Sequence, residues 1–90
     1  MHEQSINILQ SALDDLTVIE SLEGEEKHKG LVALFASLDN ERLASSYIVI
    51  VEELLYLAIN KQEPSNIILQ LVRQFLEMAL SAIVDGKEVV

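Results

Sequence analysis

Glu25 and His28 are the first side chains in this 90-residue chain whose types and spacing could do chemistry together. A Glu-x-x-His pair sits one helical turn apart, so carboxylate and imidazole share a face. Di-iron carboxylate proteins build their centres from two such motifs and two further glutamates. One chain supplies one motif, a second copy would supply the other, and Glu20, Glu23, Glu52 or Glu53 could complete the set. The surroundings favour a solvated charge run instead. The motif lies in residues 23–30 (EGEEKHKG), the most hydrophilic stretch, beside Lys27 and Lys29. No metal or cofactor is therefore assigned.

Other routes to catalysis are closed in similar ways. Without cysteine there is no thiolate metal site, disulfide framework or Cys nucleophile. His2 and His28 lie in polar surroundings, so neither reads as a buried general base. No serine stands in a Gly-x-Ser-x-Gly elbow or a Ser-x-x-Lys pair. Gly24, Gly30 and Gly86 are too dispersed to cradle a phosphate. Glu52 and Glu53 are adjacent and so point about 100° apart on a helix, which rules out an aligned acid–base pair. One of them should face water and the other an interface edge, paired with Arg73, Arg42 or Lys61. The residues point to a protein that is not an enzyme.

The elements that would position these side chains are helical. Ile6, Leu9, Leu13, Leu16, Ile19 and Leu22 recur at three and four residues and predict a helix over 5–22, with Ser5 as N-cap. Leu31, Leu34, Phe35 and Leu38 form one helical face and predict a second helix over 25–38. Residues 23–30 read equally as a loop or as that helix's first turn, and Gly30 inside a helix would cost about 1 kcal/mol relative to Ala. Asp39 and Asn40 supply a turn and a cap before a third helix over 40–60. Within it residues 47–51 (YIVIV) have strand composition, but the polar positions around them keep helical spacing. Pro64 ends that helix and Ser65 caps a fourth over 66–84, stopped by Gly86 in a left-handed C′ position. With connections this short, the expectation is an all-α, antiparallel four-helix bundle. It would form a single helical domain over 1–86 with a frayed tail over 87–90.

Half the residues are apolar, yet they are unevenly shared. Between Tyr47 and Ile59, 11 of 13 residues are apolar, and between Ile67 and Val84, 13 of 18. In the fourth helix Gln70, Arg73, Gln74, Glu77 and Ser81 form one narrow polar stripe. Helices 3 and 4 thus form a strongly apolar hairpin, and a domain of this size buries only somewhat over 60% of its unfolded surface. A second copy of the chain is the expected cover, with Tyr47, Ile48, Val51, Leu55, Ile68, Val72, Phe75 and Ala79 as contact residues. An obligate different partner and an efficient monomeric core are the alternatives.

Charge narrows the partners further. The net charge is −9, from 15 acids and 6 bases, which disfavours nucleic-acid backbones and anionic membranes. No uninterrupted apolar run approaches the roughly 20 residues of a membrane span, and the amino terminus lacks the basic segment of a secretory signal, so a cytoplasmic protein is expected. Seven acids fall in the first 26 residues. Asp14, Asp15, Glu23, Glu25 and Glu26 are the candidate acidic recognition surface. Two functions fit: a homodimeric adaptor, chaperone-like cofactor or regulator working through helices 3 and 4, or an inhibitor or immunity-type protein holding a basic target through that acidic surface.

Overall fold

A computed structural model of the chain describes residues 3–41, 43, 45–61 and 66–86. They form four α-helices, α1 (Glu3–Glu20), α2 (Gly24–Glu41), α3 (Ser46–Asn60) and α4 (Asn66–Val84), with no strand among them. Residues 47–51 are helical despite their β-branched side chains, because Ile48 and Val51 belong to an apolar row that Leu55 and Ala58 continue. Pro64, Ser65, His2, Arg42 and the tail 87–90 lie outside the described residues.

Buried side chains explain the packing. Leu9, Ala12, Leu16 and Ile19 in α1, Leu31, Leu34 and Leu38 in α2, Ile48, Val51, Leu55 and Ala58 in α3, and Leu69, Val72, Leu76, Ala79 and Ile83 in α4 are all nearly inaccessible. Each row alternates steps of three and four residues, the seam along which helices interlock side by side. Each helix packs on two others: α2 bridges α1 and α3, α4 bridges α3 and α1, and the diagonal pairs do not meet. A helix of 15 to 19 residues is about 22–28 Å long, so within extents of 38 × 19 × 17 Å all four lie along the long axis.

Helix ends differ from the sequence expectation in three places. α1 already includes Glu3, so Ser5 is inside its first turn rather than capping it, and Glu3 meets the positive end of the dipole. At its other end Ser21 and Leu22 donate amide bonds to Val18 and Ile19, three residues back, so the helix tightens as it stops. α2 begins at Gly24, whose φ of 58° is left-handed, and residues 24–30 are helix rather than loop. α2 then runs through Asp39 and Asn40 to Glu41, and α3 begins only at Ser46. The reason is the phase of the apolar row: continuing it unbroken from Leu38 in steps of three and four would bring Glu41 and then Glu52 to the core. The break leaves Glu41 outside the row and lets Val51 follow Ile48 in place of Glu52. Ser45 takes extended angles there, and its carbonyl accepts the amides of Ile48 and Val49. At the end of α4, Gly86 holds φ 72° and donates to the Ile83 carbonyl, the left-handed stop that its sequence position foretold.

Gly30 explains how closely α1 and α2 approach. A Cβ added there would stand 2.8 Å from Ile19 Cγ1, which is inside contact distance. Gly30→Ala is expected to lower the thermal midpoint followed by circular dichroism, because overpacking of about 1–3 kcal/mol outweighs the ~1 kcal/mol gain in helix propensity. An unchanged or raised midpoint would mean the two helices separate freely.

Candidate interaction surfaces

Two cross-helix contacts orient α4. On one side Arg73 Nη2 donates to the Glu20 carboxylate and, at 2.8 Å, to Thr17 Oγ1, both on α1. On the other side the Phe75 ring meets Tyr47 of α3, with centroids 6.4 Å apart and planes tilted by 34°. Arg73 is therefore committed to α1, and among the described residues neither Glu52 nor Glu53 is ion-paired with it or with Lys61; Arg42, the third expected partner, lies outside the described residues. The place of Arg73 in the heptad, one residue after the buried Val72, turns it toward α1 rather than α3.

The eight expected contact residues separate accordingly. Ile48, Val51, Leu55, Val72 and Ala79 are at most 2% exposed, held inside the chain's own core. They are therefore removed from the contact set: the steps of three and four that made them look like an interface are the seam of the monomer. Tyr47, Ile68 and Phe75 are half-buried at the rim of the core. The residues that do reach solvent had not been singled out. Ile50 and Leu57 on α3 and Leu71 and Met78 on α4 are between 36% and 52% exposed. Each lies three residues from a rim residue, as Ile50 from Tyr47 and Leu71 from Ile68. The result is one row of Tyr47, Ile50, Leu54 and Leu57 on α3 and another of Ile68, Leu71, Phe75 and Met78 on α4. The Tyr47–Phe75 contact shows that the rows border the same α3–α4 seam. Neither row contains a charged residue.

A signal for this face was available in the sequence. Once the buried row of a helix is known, the residues two places beyond it, as Ile50 follows Ile48 and Leu71 follows Leu69, point outward. Apolar residues there cannot be explained by the chain's own core.

Charge is arranged differently. α1 and α2 carry Glu3, Asp14, Asp15, Glu20, Glu25, Glu26, Asp39 and Glu41 against Lys27 and Lys29, whereas α3 and α4 hold Glu52, Glu53 and Glu77 against Arg73. Asp14, Asp15, Glu23, Glu25 and Glu26 are all exposed. The structure does not gather them into one site: Glu23, Glu25 and Glu26 flank the α1–α2 connection, while Asp14 and Asp15 lie five or more residues before the end of α1. His28 is exposed, and among the described residues no group of three or more metal-ligating side chains converges.

α4 is the one described helix long and apolar enough to cross a membrane by length and composition. Counting uninterrupted runs misses it, because Gln70, Arg73, Gln74, Glu77 and Ser81 divide its apolar residues. Here five of those residues face the core, and Arg73 is paired with α1.

Comparison with known protein families, curated proteins and solved structures finds no match for this chain.

Burial and charge also act on Glu52. It is half-buried on α3, and burial, followed by the charge of Asp39, pushes its carboxyl above the ordinary value. A raised folded-state value means stability is full below the unfolded carboxylate range and is lost as pH rises through the folded value. Glu52→Gln is therefore expected to raise the thermal midpoint at pH 7, with the gain shrinking to nothing as the scan is repeated at increasingly acid pH. A gain independent of pH would show that charge burial is not its cause.

Proposed function

We propose that this chain is a non-enzymatic protein-interaction module whose α3–α4 face binds a second copy of itself. On this reading consecutive helices run antiparallel as a four-helix bundle, and α3 and α4 form an apolar hairpin whose outer side is the contact. The observation that carries it is the double row of Ile50, Leu57, Leu71 and Met78 standing exposed beside Tyr47, Leu54, Ile68 and Phe75, with no charge among them.

Two physical arguments favour a second copy. In a two-fold contact a residue near the axis meets its own equivalent, so a charged face repels itself while a neutral apolar face does not. The acid excess of α1 and α2 lies on the helices away from this contact, which reduces repulsion between two chains of net charge −9. As part of the same proposal the chain acts in the cytoplasm as an adaptor, chaperone-like cofactor or regulator, with neither nucleic acid nor membrane as its partner.

Sedimentation analysis at micromolar concentration is expected to give twice the 10.1 kDa chain mass. Leu71→Asp should reduce it to one chain while leaving the helical circular dichroism intact, since Leu71 is outside the core. Leu76→Asp, at a fully buried position, should instead unfold the protein. A wild-type chain that sediments as a monomer overturns the self-association reading.

A further inference from the structure

A different side of the molecule carries a second binding feature. Between α2 and α3 runs an open groove of about 520 Å³, lined by Phe35 from α2 and by Val49, Glu52, Glu53, Tyr56 and Leu57 from α3. Phe35 is half-buried, while Val49 and Tyr56 are 55% and 59% exposed. These last two are seven residues apart, so the apolar wall extends over two helical turns, about 10 Å. Two carboxylates stand among these apolar groups. Asp39 of α2 adds its negative field at Glu52. Among the described residues the ion pair is Arg73 with Glu20, on the opposite side of the array, and no cation is paired with Glu52 or Glu53.

We infer that the α2–α3 groove binds a basic amphipathic helix from a partner protein, its apolar side chains entering between Phe35, Val49 and Tyr56 and its lysines or arginines meeting Glu52 and Glu53. Charge selects this occupant. A second copy of this chain, at net charge −9, brings like charge against two carboxylates. A purely apolar segment strips water from Glu52 without giving it a partner, a cost that unpaired buried charges carry in full. An acidic segment is repelled outright. A segment with cations beside its apolar stripe resolves both requirements, and a helix presents such groups one and two turns apart, matching the two-turn wall. The energetic position of Glu52 fits this role: its carboxylate is held at a cost in the free chain, and a cation supplied by the occupant removes that cost.

The groove does not depend on the self-association face, with which it shares only Leu57. The test uses the full chain and a fluorescein-labelled leucine–lysine peptide of helical period, followed by anisotropy at physiological salt. A scrambled peptide of the same composition and a leucine–glutamate counterpart serve as controls. Saturable binding of the periodic basic peptide alone is expected. Tyr56→Ser and the double variant Glu52→Gln with Glu53→Gln should each raise Kd about tenfold, equivalent to 1.4 kcal/mol. Asp14→Asn with Asp15→Asn should leave Kd within about twofold, as rim charges distant from a contact do. Leu71→Asp should bind the peptide as wild type does, whatever its own oligomeric state, which separates this inference from the dimer. The inference is overturned by an absence of binding, by equal binding of the scrambled peptide, or by an equal loss in the Asp14 and Asp15 variant. It is also overturned if the Glu52 and Glu53 substitutions shift the sedimentation equilibrium, since the groove would then hold a second copy.

Discussion

Sixteen apolar side chains, spaced alternately three and four residues apart on four helices, form the seam on which the rest of this structure depends. Helices apolar at this spacing associate along their length, because the stripe they present winds slowly enough to stay against a neighbour. Once Ile48, Val51, Leu55 and Ala58 face inward, the direction of every other α3 residue is settled. Ile50 and Leu57 are turned outward toward the α4 side, Val49 and Tyr56 outward toward α2. The same constraint on α4 sends Arg73 to α1 and Phe75 to α3, where each finds a partner. It also explains the break between α2 and α3, since an unbroken helix would have brought glutamates to the seam. Gly30 completes it by removing the atom that would hold α1 and α2 apart.

The surfaces left outside that seam differ in kind. The α3–α4 side is apolar with Glu53 at its outer edge, the α2–α3 side is apolar with two carboxylates, and α1 and α2 carry most of the remaining acid. These differences matter because an apolar contact is non-directional, whereas charge decides which partner can approach. A face with no charge in its rows tolerates its own copy across a two-fold axis. A carboxylate-bearing groove does not, and it favours a cation. One helix, α3, borders both sides, and its only charges, Glu52 and Glu53, point toward α2 and solvent.

Several elements were legible from spacing alone. Leu31, Leu34 and Leu38 marked α2, residues 66–84 were bounded correctly, and Gly86 was the expected left-handed stop. Other boundaries were not, for a common reason. Asp39 and Asn40 have the composition of a turn, yet short polar residues are also tolerated in the last turn of a helix whose preceding apolar row is anchored by packing. Ser5 looked like a cap because the apolar row starts at Ile6, but a helix can extend beyond its first buried residue. Residues 23–30 stayed ambiguous because Gly24 and Gly30 serve different purposes: the first supplies a positive φ and the second a close approach, and a sequence shows only that both are glycine.

What the sequence determined by itself was the helical period, the number of helices and the excess of apolar surface on the last two. Those follow from spacing and composition, which are local properties. What only the tertiary structure decided was which apolar residues are excess. Tyr47, Ile48, Val51 and Leu55 read alike along the chain, but three of them are consumed by the core while Ile50 and Leu57, two places further round, are not. The physical reason is that burial depends on which helices lie on either side, and a helix wheel records angle without recording neighbours. Arg73 makes the same point for charge: its sequence permits pairing with Glu52 or Glu53, and the placement of α1 beside α4 gives it Glu20 and Thr17 instead. With Arg73 so engaged, Glu52 stays half-buried beside Asp39, a circumstance written in the packing of α2 on α3 and in no single stretch of the chain.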